Sequence, residues 1–238
     1  MILLAGGTNK PLAAALAALG CAAVWIASGR AGAQETIVTA HNVTGEHVRA
    51  AVRKGAALLR GVLEEQSRWP AGNARTDGMK ALTVLALLNA GVEADDPAVA
   101  SALRALAASQ DSETYTTALK CMVFAAAEAK KYSAPLTASA RWLAQTQLDN
   151  GMWTYRAQVG PGGARPLGRG DNSNTQFALL GLHEAAKAGV HVPDLVWARS
   201  RTHFERTQLP DGGWTYQYTS STGSFRPDAR SPAYGSMT

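Results

Sequence analysis

The sequence predicts an all-α protein made of helical hairpins in two layers. Alanine is frequent throughout the 238 residues, and only 7% of the residues are aromatic, which favours closely packed helices over strands. Amphipathic segments alternate with segments that are apolar on nearly every side, as expected for outer and inner helices. A pattern Gln-x-x-x-Gly-x-Trp also occurs twice, from Gln147 to Trp153 and from Gln208 to Trp214, in register at a spacing of 61 residues. This spacing indicates an internal repeat.

Residues 1–33 have the features of an export signal. Lys10 precedes an apolar run over residues 11–28, and Ala31-Gly32-Ala33 supplies the small residues of a cleavage site. Residues 34–44 then form a short linker before a repeat domain over residues 45–238. The apolar run, at about 18 residues, is at the lower limit for a membrane span, so an uncleaved anchor is the alternative. Membrane contact is expected only through that anchor.

Charge and cysteine content argue against several classes of function. The formal net charge of +5 falls to +3 when Lys10 and Arg30 leave with the signal, and the other basic residues are scattered. This distribution argues against a nucleic-acid partner. Loss of Cys21 leaves Cys121 as a single thiol, so no internal disulfide is expected. The apolar neighbours of Cys121 predict a buried side chain rather than a reactive one.

The first three predicted helices show the alternation. The first, residues 45–66, is amphipathic, and the second, residues 78–90, is apolar almost all round and is closed by Gly91. Asp96 as N-cap and Pro97 open a third, amphipathic helix. The predicted apolar faces are Val48, Val52, Leu59, Val62 and Leu63 on the first helix, and Val99, Ala102, Leu103 and Leu106 on the third.

Four further helices continue the pattern. Ser112 opens the fourth, and Pro135 opens the fifth, which ends at Gln147. The sixth covers residues 171–187, and the last runs from Pro193 to Gln208 with Gly189 between them.

Long loops rich in Gly, Pro and Ser follow both tryptophans of the motif. The order of inner and outer helices places these loops at the same end of the two helical layers. Loops of this length are usually functional or flexible. The final residues, Ser236-Met237-Thr238, are similar to the start of the sixth helix at Ser173-Asn174-Thr175. We therefore expect an N-terminal fragment that stops within an eighth helix.

Both copies of the motif are expected to be structural. The glutamine stands where a helix leaves its last carbonyls unpaired, so its amide can bond the neighbouring backbone. The tryptophan ring stacks over the glutamine amide, and the glycine allows a sharp turn that lets the ring approach the backbone. The residues are Gln147, Gly151 and Trp153 in the first copy, and Gln208, Gly212 and Trp214 in the second.

The motif resembles the QW repeat of squalene-hopene and oxidosqualene cyclases. Trp142-Leu143 precedes the first copy as in those proteins, whereas the aromatic of the second copy, Phe204, lies one residue nearer to its glutamine. The alternating helices are similar to those of terpenoid cyclases and protein prenyltransferase β subunits. The most similar group is the exported bacterial prenyltransferase and squalene oxidase repeat proteins. The resemblance covers residues 45–238 and implies an incomplete α/α toroid of inner and outer helices.

The enzymes of this superfamily use residues that are missing from this sequence. Squalene-type cyclases protonate an alkene with an Asp-x-Asp-Asp motif, but the nearest pair here, Asp95-Asp96, is expected to cap a helix. Prenyltransferases hold zinc with Asp, Cys and His, and no histidine stands at metal-ligand spacing from Cys121. The Cys-Gly-Glu-Gln of complement-type thioester toroids is also absent. We expect no metal, no cofactor and no catalytic residue among these positions.

Candidate binding residues lie on the loops after the two tryptophans. Aromatic and polar side chains at the mouth of an apolar barrel suit an isoprenoid or lipid head group or a glycan, and another protein is a further possible partner. Simple packing of the Thr-Tyr pairs against the next repeat is the alternative. The inner helix is expected to hold His183 as a core histidine. The spacing of Tyr115 and Phe177 fits either the lining of the cavity or ordinary core packing. The candidates are Tyr155, Arg156, Asp171, Asn172, Tyr216 and Tyr218.

Three functions are compatible with these observations. The leading one is an exported binding or scaffold module. The second is a terpenoid cyclase or prenyltransferase whose catalytic residues lie further along the polypeptide. The third is a carbohydrate-active α/α toroid, since such enzymes place Tyr, His and carboxylates at the rim.

Overall fold

A computed structural model describes residues 43–68, 73–156, 169–221 and 224–227. The predicted signal segment, most of the linker and the predicted start of an eighth helix lie outside these residues. Within the described ranges the regular secondary structure is helical apart from three short strands. The helices are α1 (Gly45–Gln66), α2 (Ala74–Asn89), α3 (Pro97–Ala108), α4 (Thr114–Glu128), α5 (Ser133–Thr146), α6 (Asn172–Lys187) and α7 (Asp194–Thr207).

The order and number of the helices in these ranges agree with the sequence prediction, but several ends differ. Helix α2 begins before the predicted Gly78, because the Asn73 side chain accepts a hydrogen bond from the Arg75 amide and caps the helix there. Helix α4 is preceded by Glu113 rather than by Ser112, and α5 begins ahead of Pro135. The predicted Asp96 cap of α3 is confirmed, since its carboxylate accepts from the amides of Ala98 and Val99.

The even-numbered helices pack side by side. Helix α4 lies between α2 and α6 and makes its most extensive contacts with them, while α1, α3 and α5 pack against the helices of this row. The close approach of α4 and α6 depends on Gly181, because a β-carbon there would lie 2.8 Å from the Ala118 backbone. The alternation seen in the sequence therefore corresponds to which helices contact one another.

The core is formed mainly by α2 to α6. The predicted face of α3, with Leu103 and Leu106 among its members, is fully buried, and so is Phe124 on α4. The prediction for α1 was wrong in part: Leu63 is buried, but Val48 and Val52 are 52% and 43% exposed. Periodicity predicts which residues share a face, but it does not show whether a neighbour covers all of that face.

A buried ion pair crosses the core next to α4. Lys120 lies on α4 and is only 2% exposed. Its ammonium group lies 2.6 Å from Asp111 and donates a hydrogen bond of 2.8 Å to the Ser109 carbonyl. The Ser139 hydroxyl donates to the other Asp111 oxygen at 2.9 Å, so the ion pair joins the α3–α4 connection to α5.

The sequence did not predict a small antiparallel sheet between the two long loops. Its strands are β1 (Arg169–Asp171), β2 (Gln217–Ser221) and β3 (Ser224–Pro227), in the order β1-β2-β3. Strand β1 comes at the end of the loop that follows Trp153, and β2 lies in the loop that follows Trp214. Because the two strands pair, the sheet brings the two loops together. In the described part of the chain, no helix has the length and hydrophobicity needed to cross a membrane.

Candidate functional site: two tyrosines above the repeat motif

The first copy of the motif connects α5 to α7. Gln147 follows the last residue of α5, and its side-chain amide donates hydrogen bonds to the Val196 carbonyl at 2.9 Å and the Ser200 hydroxyl at 3.1 Å. The Trp153 indole N–H donates to the Leu143 carbonyl at 2.8 Å. Gln147 and Trp153 are completely buried. Their side-chain nitrogens therefore bond the backbone of α7 and α5.

The glycine of this copy is required both by its backbone angle and by its surroundings. Gly151 has φ +84°, which favours glycine, and an added β-carbon would lie 2.3 Å from the Arg199 carbonyl oxygen. The Ser200 hydroxyl donates to the Gly151 carbonyl at 2.8 Å. The turn and α7 are therefore in direct contact.

The second copy has the same internal bonds, but no helix among the described residues packs against it as α7 does against the first copy. The Gln208 amide donates to the Gly212 carbonyl at 3.0 Å, and the Trp214 indole donates to the Phe204 carbonyl at 2.9 Å. However, Gln208 is exposed and Trp214 is only half-buried, and none of the described atoms lies within 4 Å of the position of a Gly212 β-carbon. The local turn therefore forms without the cover that α7 gives to the first copy.

Two candidate residues from different repeats meet above these turns. Tyr155 and Tyr216, the last residues of the two Trp-Thr-Tyr segments, have their hydroxyl oxygens 3.4 Å apart. The hydrogen bond with Tyr155, followed by partial burial, raises the pKa of Tyr216 above its ordinary value. Tyr155 is 60% exposed, so much of its side chain is accessible to a ligand.

Arg156 lies next to this pair on the surface. Its guanidinium forms an ion pair with Glu113, with Nε 2.7 Å from Oε1, and the Arg156 side chain is 77% exposed. Glu113 precedes α4 but makes no side-chain hydrogen bond to the helix, which leaves its carboxylate to hold the arginine. Exposed charge and exposed aromatic surface are thus adjacent.

The candidates Asp171 and Asn172 are buried beneath the tyrosines. Asp171 caps α6: one carboxylate oxygen accepts from the Asn174 amide at 2.8 Å. Asn172 donates from its side chain to the Thr215 carbonyl at 2.8 Å, and its backbone amide donates to the Tyr216 carbonyl at 2.9 Å. Asn172 therefore holds the loop that carries Tyr216, whereas the Asp171 side chain fixes the start of α6. For Tyr218, only its place on β2 is described, opposite Gly170.

His203 contacts Asn172 and so helps to hold the loop that carries Tyr216. The sequence analysis did not select His203 as a site residue. It is completely buried on α7, and its Nε2 lies 3.1 Å from the Asn172 side-chain oxygen. Because the Asn172 amide nitrogen already donates to Thr215, the histidine must donate from Nε2. Burial lowers the pKa of His203 to about 4, so the ring is neutral at pH 7. His203 lies 61 residues after Trp142, so the two residues occupy equivalent positions in the repeat. This correspondence indicates from the sequence that position 203 faces inward.

Other predictions about single residues had mixed outcomes. Cys121 is buried as predicted, and burial raises the pKa of its thiol. The prediction that His183 is a core histidine was wrong: it is exposed, because no described helix covers that side of α6. Tyr115 and Phe177 are partly buried and in mutual edge contact, with ring centroids 4.4 Å apart.

Two further results concern cofactors and relatives. Among the described residues, no group of three or more His, Cys, Asp or Glu side chains is placed to hold a metal ion. Comparisons with protein-family models, curated proteins and solved structures find no significant match to this chain.

Proposed function

We propose that this protein is an exported repeat module that binds a glycan or a similarly hydroxylated ligand at the Tyr155–Tyr216 pair. The observation that carries this proposal is the meeting of these equivalent tyrosines, 3.4 Å between hydroxyls, on an exposed surface. A role in binding fits the repeat, because extended repeat surfaces commonly serve as binding surfaces. The signal-like residues 1–33 support export.

The chemistry of the pair favours a glycan over an isoprenoid. An exposed aromatic ring can stack on the apolar face of a sugar, while phenol hydroxyls and an arginine can bond its hydroxyl groups. The Arg156–Glu113 ion pair beside Tyr155 makes this surface polar. An isoprenoid tail would instead need an enclosed apolar surface.

We also propose that the helices form an arc of an α/α toroid of the squalene-cyclase type. The side-by-side packing of α2, α4 and α6, with the other helices around them, supports this arrangement. Further support comes from the two motif copies, which share the glutamine-to-glycine and indole-to-carbonyl bonds.

Titration calorimetry with chitotetraose, cellotetraose and vesicles containing farnesol tests the proposed ligand class. We expect binding of an oligosaccharide that Tyr155→Ala abolishes and that Tyr155→Phe weakens less, since phenylalanine keeps the ring. Leu195→Ala is the matched control, because Leu195 is 53% exposed on α7 and takes no part in the tyrosine pair. Oligosaccharide binding that survives Tyr155→Ala, or binding to the farnesol vesicles alone, would contradict the proposal.

A further inference from the structure

Helix α1 extends beyond the packed helices. At 22 residues it is the longest helix in the described part of the chain, and its second half packs on the core through Ala56, Leu59 and Leu63. In its first half, residues 45–55, every residue except Ala50 is exposed. The start of α1 is therefore a helix surface that the described residues leave uncovered.

An apolar stripe runs along this uncovered surface. Val48 and Val52 are 52% and 43% exposed, and Leu58 and Val62, further along the helix, are 70% and 37% exposed. At 3.6 residues per turn these four positions fall within one sector of the helix, about 120° wide. Single exposed apolar residues are common, but a continuous exposed stripe usually marks an interaction site.

Positive charge borders the stripe on both sides. Residues 47–63 include four Arg or Lys side chains and no carboxylate. Arg60 is paired with a carboxylate of the α2–α3 connection, whereas the other three form no ion pair with a described residue. By helical geometry Arg49 and Arg53 lie along one edge of the stripe, and Lys54 lies along the other.

An anionic lipid surface is the partner that this combination fits best. A helix with an apolar stripe and basic edges lies in a membrane interface, where apolar side chains contact acyl chains and the cations bind phosphate groups. A second copy of the chain is disfavoured, because it would bring the same unpaired cations against these. The apolar run over residues 11–28 also precedes α1, so two features that suit a membrane are neighbours in the sequence.

We propose that the first half of α1 binds the surface of an anionic lipid bilayer and lies parallel to it. Val48, Val52 and Leu58 enter the interface between headgroups and acyl chains. Arg49, Arg53 and Lys54 bind the lipid phosphates. This contact is separate from the anchor considered for residues 11–28.

A fluorescent probe on the full chain tests the proposal at α1 itself. In a Cys21→Ser background, an environment-sensitive dye is attached to Val48→Cys on the stripe or to Ala57→Cys on the opposite, exposed side of the helix. Cys121 is buried and stays unlabelled. We expect vesicles of phosphatidylcholine with phosphatidylglycerol to shift the emission at position 48 to shorter wavelength, and phosphatidylcholine alone to shift it much less.

The probe at position 57 is the control for the orientation of the helix. Entry of residues 11–28 into a bilayer does not by itself distinguish positions 48 and 57, because both lie on α1. Equal shifts at the two positions, or equal shifts at position 48 with the two kinds of vesicle, overturn the proposal.

Two charge variants test the role of the basic edges. A cation near an anionic surface increases affinity about fivefold, so Arg53→Gln with Lys54→Gln should weaken binding roughly 25-fold in a lipid titration of the position 48 signal. Arg104→Gln with Arg141→Gln is the matched control, because it removes the same charge from exposed sites on α3 and α5. An equal loss of affinity in the two double variants overturns the proposal.

Quenching by acrylamide without lipid tests whether a protein segment covers the stripe. We expect the probes at positions 48 and 57 to be quenched equally before vesicles are added, and position 48 to be protected afterwards. Protection of position 48 before lipid is added would mean that another part of this chain or a second copy occupies the stripe, and the proposal fails.

Discussion

Gln147 donates a hydrogen bond of 3.1 Å to the hydroxyl of Ser200, a residue 53 positions further along the chain. The same amide donates to the Val196 carbonyl, and Ser200 donates to Gly151. One glutamine thus joins the end of α5, the turn that follows it and the first half of α7. We conclude that the first copy of the repeat motif connects successive hairpins.

Trp153→Ala should destabilise the protein more than Trp214→Ala. The first indole is completely buried and the second is half-buried, although both donate to a helix carbonyl. We expect a loss of about 3 to 5 kcal/mol for Trp153→Ala and roughly half of that for Trp214→Ala. Urea unfolding followed by circular dichroism measures both. Equal losses of unfolding free energy in the two variants would show that burial of the tryptophan ring does not determine the destabilisation.

Gly151→Ala and Gly212→Ala separate backbone strain from contact with the neighbouring helix. Both glycines have positive φ, so each alanine costs about 1 to 2 kcal/mol from its backbone conformation. Only Gly151 lies against α7, and there the new β-carbon collides with the Arg199 carbonyl. We expect a clearly lower melting temperature for Gly151→Ala than for Gly212→Ala. Indistinguishable melting curves would argue against the close approach of α7.

Lys120→Ala should be among the most harmful substitutions away from the motif. It leaves the Asp111 carboxylate buried without its counter-ion, which typically costs about 3 to 5 kcal/mol. Lys187→Ala is the control, because its pair with Glu184 is on the surface and contributes below about 1 kcal/mol. Chemical denaturation of the two variants compares them. A loss for Lys120→Ala no larger than that for Lys187→Ala would contradict the burial of this pair.

His203 should make the protein less stable in mild acid. Its folded-state pKa of about 4 lies below the unfolded value of 6.5, so the unfolded state binds the extra proton between these pH values. Stability is unaffected above pH 6.5 and falls as the pH drops toward 4, by at most about 1.4 kcal/mol per pH unit. Melting temperatures from pH 7 to 4 should show this fall, and His203→Gln should reduce it. His183→Gln, a histidine substitution at an exposed site, is the matched control.

The sequence predicted much of the helical architecture because its signals are local. Pro97 after Asp96 marks the start of α3, and the 61-residue spacing of Trp153 and Trp214 marks equivalent turns. The exposure of Val48 and the burial of Lys120 depend on which neighbours are present, which periodicity does not encode.

The candidate site was predicted only in part for the same reason. Tyr155 and Tyr216 stand out because each follows a repeated tryptophan, and their meeting depends on the sheet that joins the two loops. His203 was missed, because a single histidine on an amphipathic helix shows no partner in the sequence. Its partner, Asn172, is 31 residues away and becomes adjacent only when α6 and α7 pack.

A double-mutant cycle on Gln147 and Ser200 tests the structural role of the motif most directly. Unfolding free energies are measured for Gln147→Ala, Ser200→Ala and the double variant. If the motif connects the hairpins, the two losses are not additive, and the coupling is about 0.5 to 3 kcal/mol. Strictly additive losses, with a coupling near zero, would contradict the claim that this glutamine joins α5 to α7.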